Sequence, residues 1–229
     1  MRANAPLRSS SQTLVLQVRD RIGVVQESEA RFSWQKQGER ESRALLRIVK
    51  PVDMRGAGLL VIEEGDRRDL FMYMPELRRV RRVTGRMAAG ALFGSDFGID
   101  ELEQISGIGE TISVEHLRDD DLDGRPVHVV SHRLDRSEGG AFERIVAFVD
   151  RETCVPLRAE FLEPGGRLRK VLTVEPSDLA REGARWVARR SLVRDLRDET
   201  ETELVVREIE FDAEIPRRTF THRELERGL

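Results

Sequence analysis

The sequence predicts a mainly β protein, an antiparallel meander of about eleven short strands forming a barrel or half-barrel. Three observations carry this. Apolar residues alternate over short runs, turns rich in Gly and Asp separate the runs at regular intervals, and no crossover helix lies between them.

Residues 1–10 are small and polar and read as a flexible arm, leaving 11–229 as a single domain without repeats or a linker. From Gln12 to Ile22, the i, i+4, i+8 stripe of Leu14, Val18 and Ile22 predicts a short amphipathic helix stopped by Gly23. The segment 29–36 alternates around Ala30, Phe32 and Trp34. After the turn Gln37-Gly38-Glu39, the segment 43–50 places Ala44, Leu46 and Ile48 on one face and stops at Pro51. Strands 58–62 and 69–74 flank Glu64-Gly65-Asp66. Further strands are expected at 111–117, 127–134, 144–149, 155–162, 168–174, 185–193 and 202–211, with turns such as Asp123-Gly124 and Gly165-Gly166 between them. One helix interrupts the meander. It begins near Asp100, where Asp100, Glu101 and Glu103 complement a helix N-terminus, with Ser95 or Asp96 as its cap and Gly107 and Gly109 as its end.

Composition narrows the function. A net charge of −3 and a pI near 5.9 give no basic field for nucleic acid. Of 39 basic residues only Lys36, Lys50 and Lys170 are lysine, a bias that coding composition explains. Cys154 is the single cysteine, so neither an internal disulfide nor a cysteine metal cluster is available, and it reads as a small buried hydrophobe. No apolar run reaches the ~20 residues needed to span a bilayer. Ala3-Asn4-Ala5 after Met1-Arg2 looks like the end of a signal peptide without its apolar body, as in a mature chain with a start methionine added; read from the residues alone, a cytoplasmic start stands equally beside it.

No catalytic constellation is present. Asp96-Phe97-Gly98 spells the kinase magnesium motif, but no glycine-rich phosphate loop or H-R-D loop accompanies it. There is no G-x-S-x-G elbow and no Cys–His pairing. His128 and His132 stand four apart in a strand, roughly 13 Å, beyond the reach of one ion. His116 and His222 have no partner evident in sequence. We therefore expect no enzyme, no metal and no cofactor.

The informative stretch is Tyr73, Pro75, Leu77, Val80, Arg81, Arg82 and Val83, followed by Phe93, Gly94, Ser95, Asp96, Phe97, Asp100 and Glu101. Around it lie Pro51, Asp53, Gly56 and Leu60, then Pro156-Leu157-Arg158, then Gly165-Gly166-x-Leu168-x-Lys170. The end carries Ile215-Pro216 and Phe220-Thr221-x-Arg223-x-Leu225-Glu226. This ordered set resembles the LolA-like outer-membrane lipoprotein-sorting proteins, periplasmic carriers of lipids and lipoproteins. It departs where many relatives have an aromatic after Asp-Phe and this chain has Gly98-Ile99.

The resemblance implies an open antiparallel half-barrel with helices covering its concave side, around an apolar hollow. It implies a periplasmic location, with the signal peptide removed. Phe71, Tyr73, Phe93, Phe97, Leu102 and Ile105 are then candidate lipid-binding cavity residues. Arg78, Arg79, Arg81 and Arg82, with Arg86 nearby, are candidates for headgroup or partner docking, because arginine's planar fork suits phosphate and carboxylate. Leu77, Val80 and Val83 would anchor that segment. The implied partners are acyl chains of a lipid or lipoprotein, an inner-membrane exporter of the resistance-nodulation-division type and an outer-membrane acceptor. Two alternatives stand beside the carrier: a periplasmic regulatory sensor of the RseB type, which carries a second C-terminal domain, and an interaction module with a filled core and no ligand.

Overall fold

The structure is a computed structural model describing residues 2–65, 67–83, 92–98, 101–102, 113–134 and 141–227. Fifteen strands are described, more than expected. They are β1 (Ser9–Arg19), β2 (Val25–Gly38), β3 (Glu41–Lys50), β4 (Gly58–Glu64), β5 (Arg67–Met74), β6 (Arg79–Val83), β7 (Ser113–Leu122), β8 (Arg125–Arg133), β9 (Arg144–Asp150), β10 (Pro156–Leu162), β11 (Leu168–Thr173), β12 (Leu179–Glu182), β13 (Arg185–Ala188), β14 (Arg190–Asp195) and β15 (Thr200–Phe211). Thirteen form one sheet in the order β6-β5-β4-β3-β2-β1-β15-β14-β11-β10-β9-β8-β7, and β12 pairs with β13 separately. β6 and β7 each have one neighbour, so the described strands do not close into a barrel. The registered pairs are antiparallel.

The structure departs from the sequence expectations in several places. The helix predicted from Gln12 to Ile22 is strand β1. Its buried residues, Leu14, Val15 and Leu16, are consecutive rather than spaced by a helical turn, while Ile22 is 78% exposed. A continuous apolar run is equally the mark of a strand buried on both faces, and partners on either side decide for the strand. The basic run contributes β6, whose charge-rich sequence gives little strand signal but which pairs with β5 across a tight turn. The strand expected at 185–193 is divided at Arg189 into β13 and β14. Apart from short 3-10 turns and the helical residues Glu101 and Leu102, the helix described is the C-terminal His222–Arg227. Cys154, expected to be buried, is half-buried, at φ 59. Within the expected arm, Asn4 Nδ2 donates to the Thr153 carbonyl at 2.7 Å, and Trp186 N–H donates to Asn4 Oδ1 at 2.9 Å.

The chain forms two compact units. The first comprises Met1–Ala5, Gln17–Gln26 and Gly85–Leu204, and the second Pro6–Leu16, Glu27–Thr84 and Val205–Leu229. In the second unit, register places Phe32 and Trp34 of β2, Ala44, Leu46 and Ile48 of β3, Leu59 and Val61 of β4, Leu70 of β5 and Val83 of β6 on one face, all buried. The other face carries Leu45, Leu60, Phe71, Tyr73 and Val80. Phe220 and Leu225 of the C-terminal segment pack on it, with Ile215 alongside. Gly58 permits this approach, since a Cβ there would stand 2.9 Å from Leu225 Cδ1 and 3.0 Å from the Leu46 carbonyl oxygen. In the first unit, Ile145, Ala147, Ala159, Phe161, Lys170, Leu172 and Val193 share one buried face across β9, β10, β11 and β14.

Candidate functional site

The motif Phe93-Gly94-Ser95-Asp96-Phe97 is a folded turn inside the first unit. Phe93 at φ 50 and Gly94 at φ 79 both take the left-handed backbone that closes it. Ser95 Oγ donates to the Leu92 carbonyl at 2.8 Å, and Leu92 N–H donates to the Phe97 carbonyl at 2.8 Å. Phe97 is 1% exposed, Phe93 is half-buried. Asp96 points its carboxylate at β15. Thr200 Oγ1 donates to Oδ1 at 2.5 Å and Thr202 Oγ1 to Oδ2 at 2.7 Å. Asp96 N–H donates to Thr202 Oγ1 at 2.8 Å. This Asp fastens the turn to β15.

Lys170 joins the turn to β11. Its buried ammonium donates to the Asp96 carbonyl at 2.7 Å and to Glu101 Oε1 at 2.8 Å, and it stands 5.7 Å from the centroid of the Phe142 ring. Glu101, 1% exposed, takes the Gly98 N–H on Oε2 at 2.8 Å, while Leu102 N–H donates to the Gly98 carbonyl at 3.3 Å. That is the reach of an N3 glutamate back to a helix N-cap. Glu101 thus does more than complement a dipole: it neutralises a buried lysine and caps the chain. Leu102 is half-buried. Asp100, Glu103, Ile105, Gly107 and Gly109 lie outside the described residues.

Phe71 and Tyr73 belong to the second unit. They are half-buried beneath the C-terminal segment, with the Phe71 ring 4.0 Å from that of His222. Arg47 fixes this cover. Nη1 donates to the carbonyls of Gly56 and Leu225 at 3.3 Å each, and Nη2 to that of Glu224 at 2.6 Å. Two of the carbonyls in the last turn of a short helix are thereby satisfied. Burial pulls the Arg47 guanidinium below its ordinary pKa, partly offset by Glu224. Sequence reading placed Phe71 and Tyr73 in a hollow. The face opposite them, around Phe32, Trp34 and Leu46, is the broader apolar surface. Its alternation was legible in sequence, but which face the C-terminal segment would cover was not.

Arg78, Arg79, Arg81 and Arg82 are exposed. Arg78 sits in the turn at φ 47. Register puts Arg79 and Arg81 on one face and Arg82 on the other, opposite Phe71, so the four do not share a single side of the strand. Arg82 pairs with Asp69, which also meets Arg67 Nε at 2.8 Å. Of the expected anchors, Val83 is buried and Val80 packs against the C-terminal cluster, whereas Leu77 is 49% exposed. Since β6 lies at the edge of the sheet among the described strands, its arginines also obstruct pairing with another chain's edge. Arg86 lies outside the described residues.

Comparison with solved structures defines the fold. An outer membrane lipoprotein-sorting protein domain from Vibrio parahaemolyticus superposes with a TM-score of 0.82 at 21% identity, covering 96% of this chain and 92% of that one. A Desulfovibrio piger protein of the DUF1329 family gives 0.85 at 19% identity, covering 95% and 91%. A LolA superfamily protein from Nitrosomonas europaea gives 0.69 at 20% identity, covering 96% and 93%. The fold is therefore that of the LolA-like, lipoprotein-sorting proteins. A protein-family profile described as "Uncharacterized protein" matches residues 40–227, and the chain belongs to that family. No curated protein sequence matches it. No described helix is long and apolar enough to cross a membrane.

Proposed function

We propose that the protein is a periplasmic carrier that shields the acyl chains of a lipid or lipoprotein and passes them to an acceptor without covalent chemistry. The observation that supports this most is the buried apolar face formed by Phe32, Trp34, Leu46, Leu59, Leu70 and Val83 across five strands. An acyl chain leaving water gains about 0.8 kcal/mol per methylene, so a few chains bind firmly with little polar recognition. The exposed arginines of β6 and its turn are the proposed contact for headgroup phosphate or for a partner such as an inner-membrane exporter. The shared fold with lipoprotein-sorting proteins supports the reading by analogy.

The test is native mass spectrometry of purified protein with lipid extraction, followed by displacement of a fluorescent fatty acid. The carrier takes up long-chain amphiphiles at micromolar concentration, and Trp34→Ala weakens uptake more than Tyr73→Ala does. Folded protein that neither carries nor takes up any amphiphile would leave an interaction module instead.

A further inference from the structure

The hairpin of β7 and β8 brings together three side chains that sequence spacing separates. His116 Nε2 lies 2.9 Å and His128 Nδ1 2.7 Å from the same oxygen, Asp119 Oδ1. One ligand atom from each residue lies within 4.8 Å of the other two. The two imidazole rings stand edge to face, 5.6 Å between centroids. His128 and His132 both lie in β8, four residues apart; the partner of His128 comes from across the hairpin.

A bulge makes the arrangement possible. Residues three apart in a regular strand point to opposite faces. Between His116 and Arg118 the register slips by one: His116 faces Val130, Arg118 faces Val129 and Asp119 faces His128. The extra residue, Leu117, returns Asp119 to the face of His116, the kind of re-aiming for which bulges serve next to sites. Arg151 Nη1 stands 3.6 Å from Asp119 Oδ2, leaving Oδ1 for the imidazoles. Glu115, Asp120, Asp121 and Asp123 make the exposed hairpin attractive to cations.

We propose that His116, Asp119 and His128 form a binding site for a divalent transition-metal ion, Zn²⁺ above all, with water completing the coordination. Two imidazoles and one carboxylate suit zinc and its neighbours and disfavour Mg²⁺. Adjacent ligand atoms of a tetrahedral zinc site lie about 3.3 Å apart, so spreading the two contacts to Asp119 by about half an ångström admits the ion in place of the shared protons. With three protein ligands the site keeps an open position. The proposal stands independently of the carrier reading.

The experiment is calorimetric titration of Zn²⁺ into the untagged, chelator-treated full chain. One ion binds per chain with micromolar affinity, and excess Mg²⁺ does not compete. His116→Ala, His128→Ala and Asp119→Asn each weaken binding by roughly tenfold or more, since even indirect supports of a metal site cost that much. His222→Ala changes nothing. Because a variant could lose its hairpin, wild-type protein is also titrated with paramagnetic Ni²⁺ while the four histidine ring signals are followed by NMR. The signals of His116 and His128 broaden first. No saturable zinc binding, binding that survives both histidine substitutions in folded protein, or broadening that spares these two rings overturns the proposal.

Discussion

The two units close one face of their strands in opposite ways. In the second unit the cover is apolar: Phe220 and Leu225 lie on Leu45 and Leu60, and the buried charge beneath it, Arg47, spends its donors on backbone carbonyls. In the first unit the fastening is ionic and polar, with Lys170 gripping Glu101 and the Asp96 backbone while Thr200 and Thr202 grip the Asp96 carboxylate. Apolar burial is non-directional and tolerates small displacements. A buried ion pair contributes little net stability when intact but is costly to break, because either partner alone is a desolvated charge. The first unit's turn is thus held in one geometry or released altogether, while the C-terminal cover loosens by degrees.

Breaking the ionic side gives the largest expected effect. Lys170→Ala strands Glu101 and costs about 4 kcal/mol in urea unfolding. Adding Glu101→Leu recovers part of that loss, because the uncompensated carboxylate is gone. Lys170→Arg sharpens the point. In a chain that otherwise uses arginine almost throughout, lysine stands where a compact ammonium fits between a carbonyl and a carboxylate. The planar fork destabilises the turn although the charge is kept.

On the apolar side, Leu225→Ala costs about 3 kcal/mol, within the range for buried leucines. The same urea titration should show a graded loss, with Trp34 fluorescence altered before Trp186 fluorescence. A loss as large as that of Lys170→Ala, with both tryptophans moving together, would erase the contrast between the units.

Acid separates them by a smaller margin. Burial raises the Asp150 pKa, but hydrogen bonds from Thr153 and the Arg125 pair outweigh it and hold the carboxyl below its usual range. A group depressed in the folded state contributes its full stabilisation above its unfolded value, about 3.9, and loses it as pH falls through the lower folded value. Thr153 in turn holds Asn4, which accepts from Trp186 N–H. Below the ordinary aspartate range the Trp186 environment should change while that of Trp34 persists. Asp150→Asn should remove this acid transition from the fluorescence titration.

The smallest effect belongs to the edge. Replacing Arg78, Arg79, Arg81 and Arg82 with glutamine changes stability by only ~0–1 kcal/mol, as for exposed charges generally. Lipid delivery or partner binding should fall, with a weaker salt dependence. Transfer assays that are unchanged would leave the arginines as guards of an edge strand, and light scattering would then show self-association.

The sequence by itself determined the β character, the turn positions and the faces of strands such as β2 and β3, because alternation and Gly or Asp turns are local signals. It also singled out Asp96, Glu101 and Lys170 as parts of recurring motifs, without revealing that they touch. Only tertiary structure decided that the 9–19 segment is a strand, since a consecutive Leu14-Val15-Leu16 run fits either state until neighbours are supplied. Likewise, only pairing across a hairpin could place His116 beside His128, because one bulged residue inverts the facing of every side chain beyond it and leaves no mark in composition or periodicity. The same holds for Phe71 and Tyr73. Their strand was readable, but which face the C-terminal segment covers depends on packing more than a hundred residues away in sequence, where local periodicity carries no information.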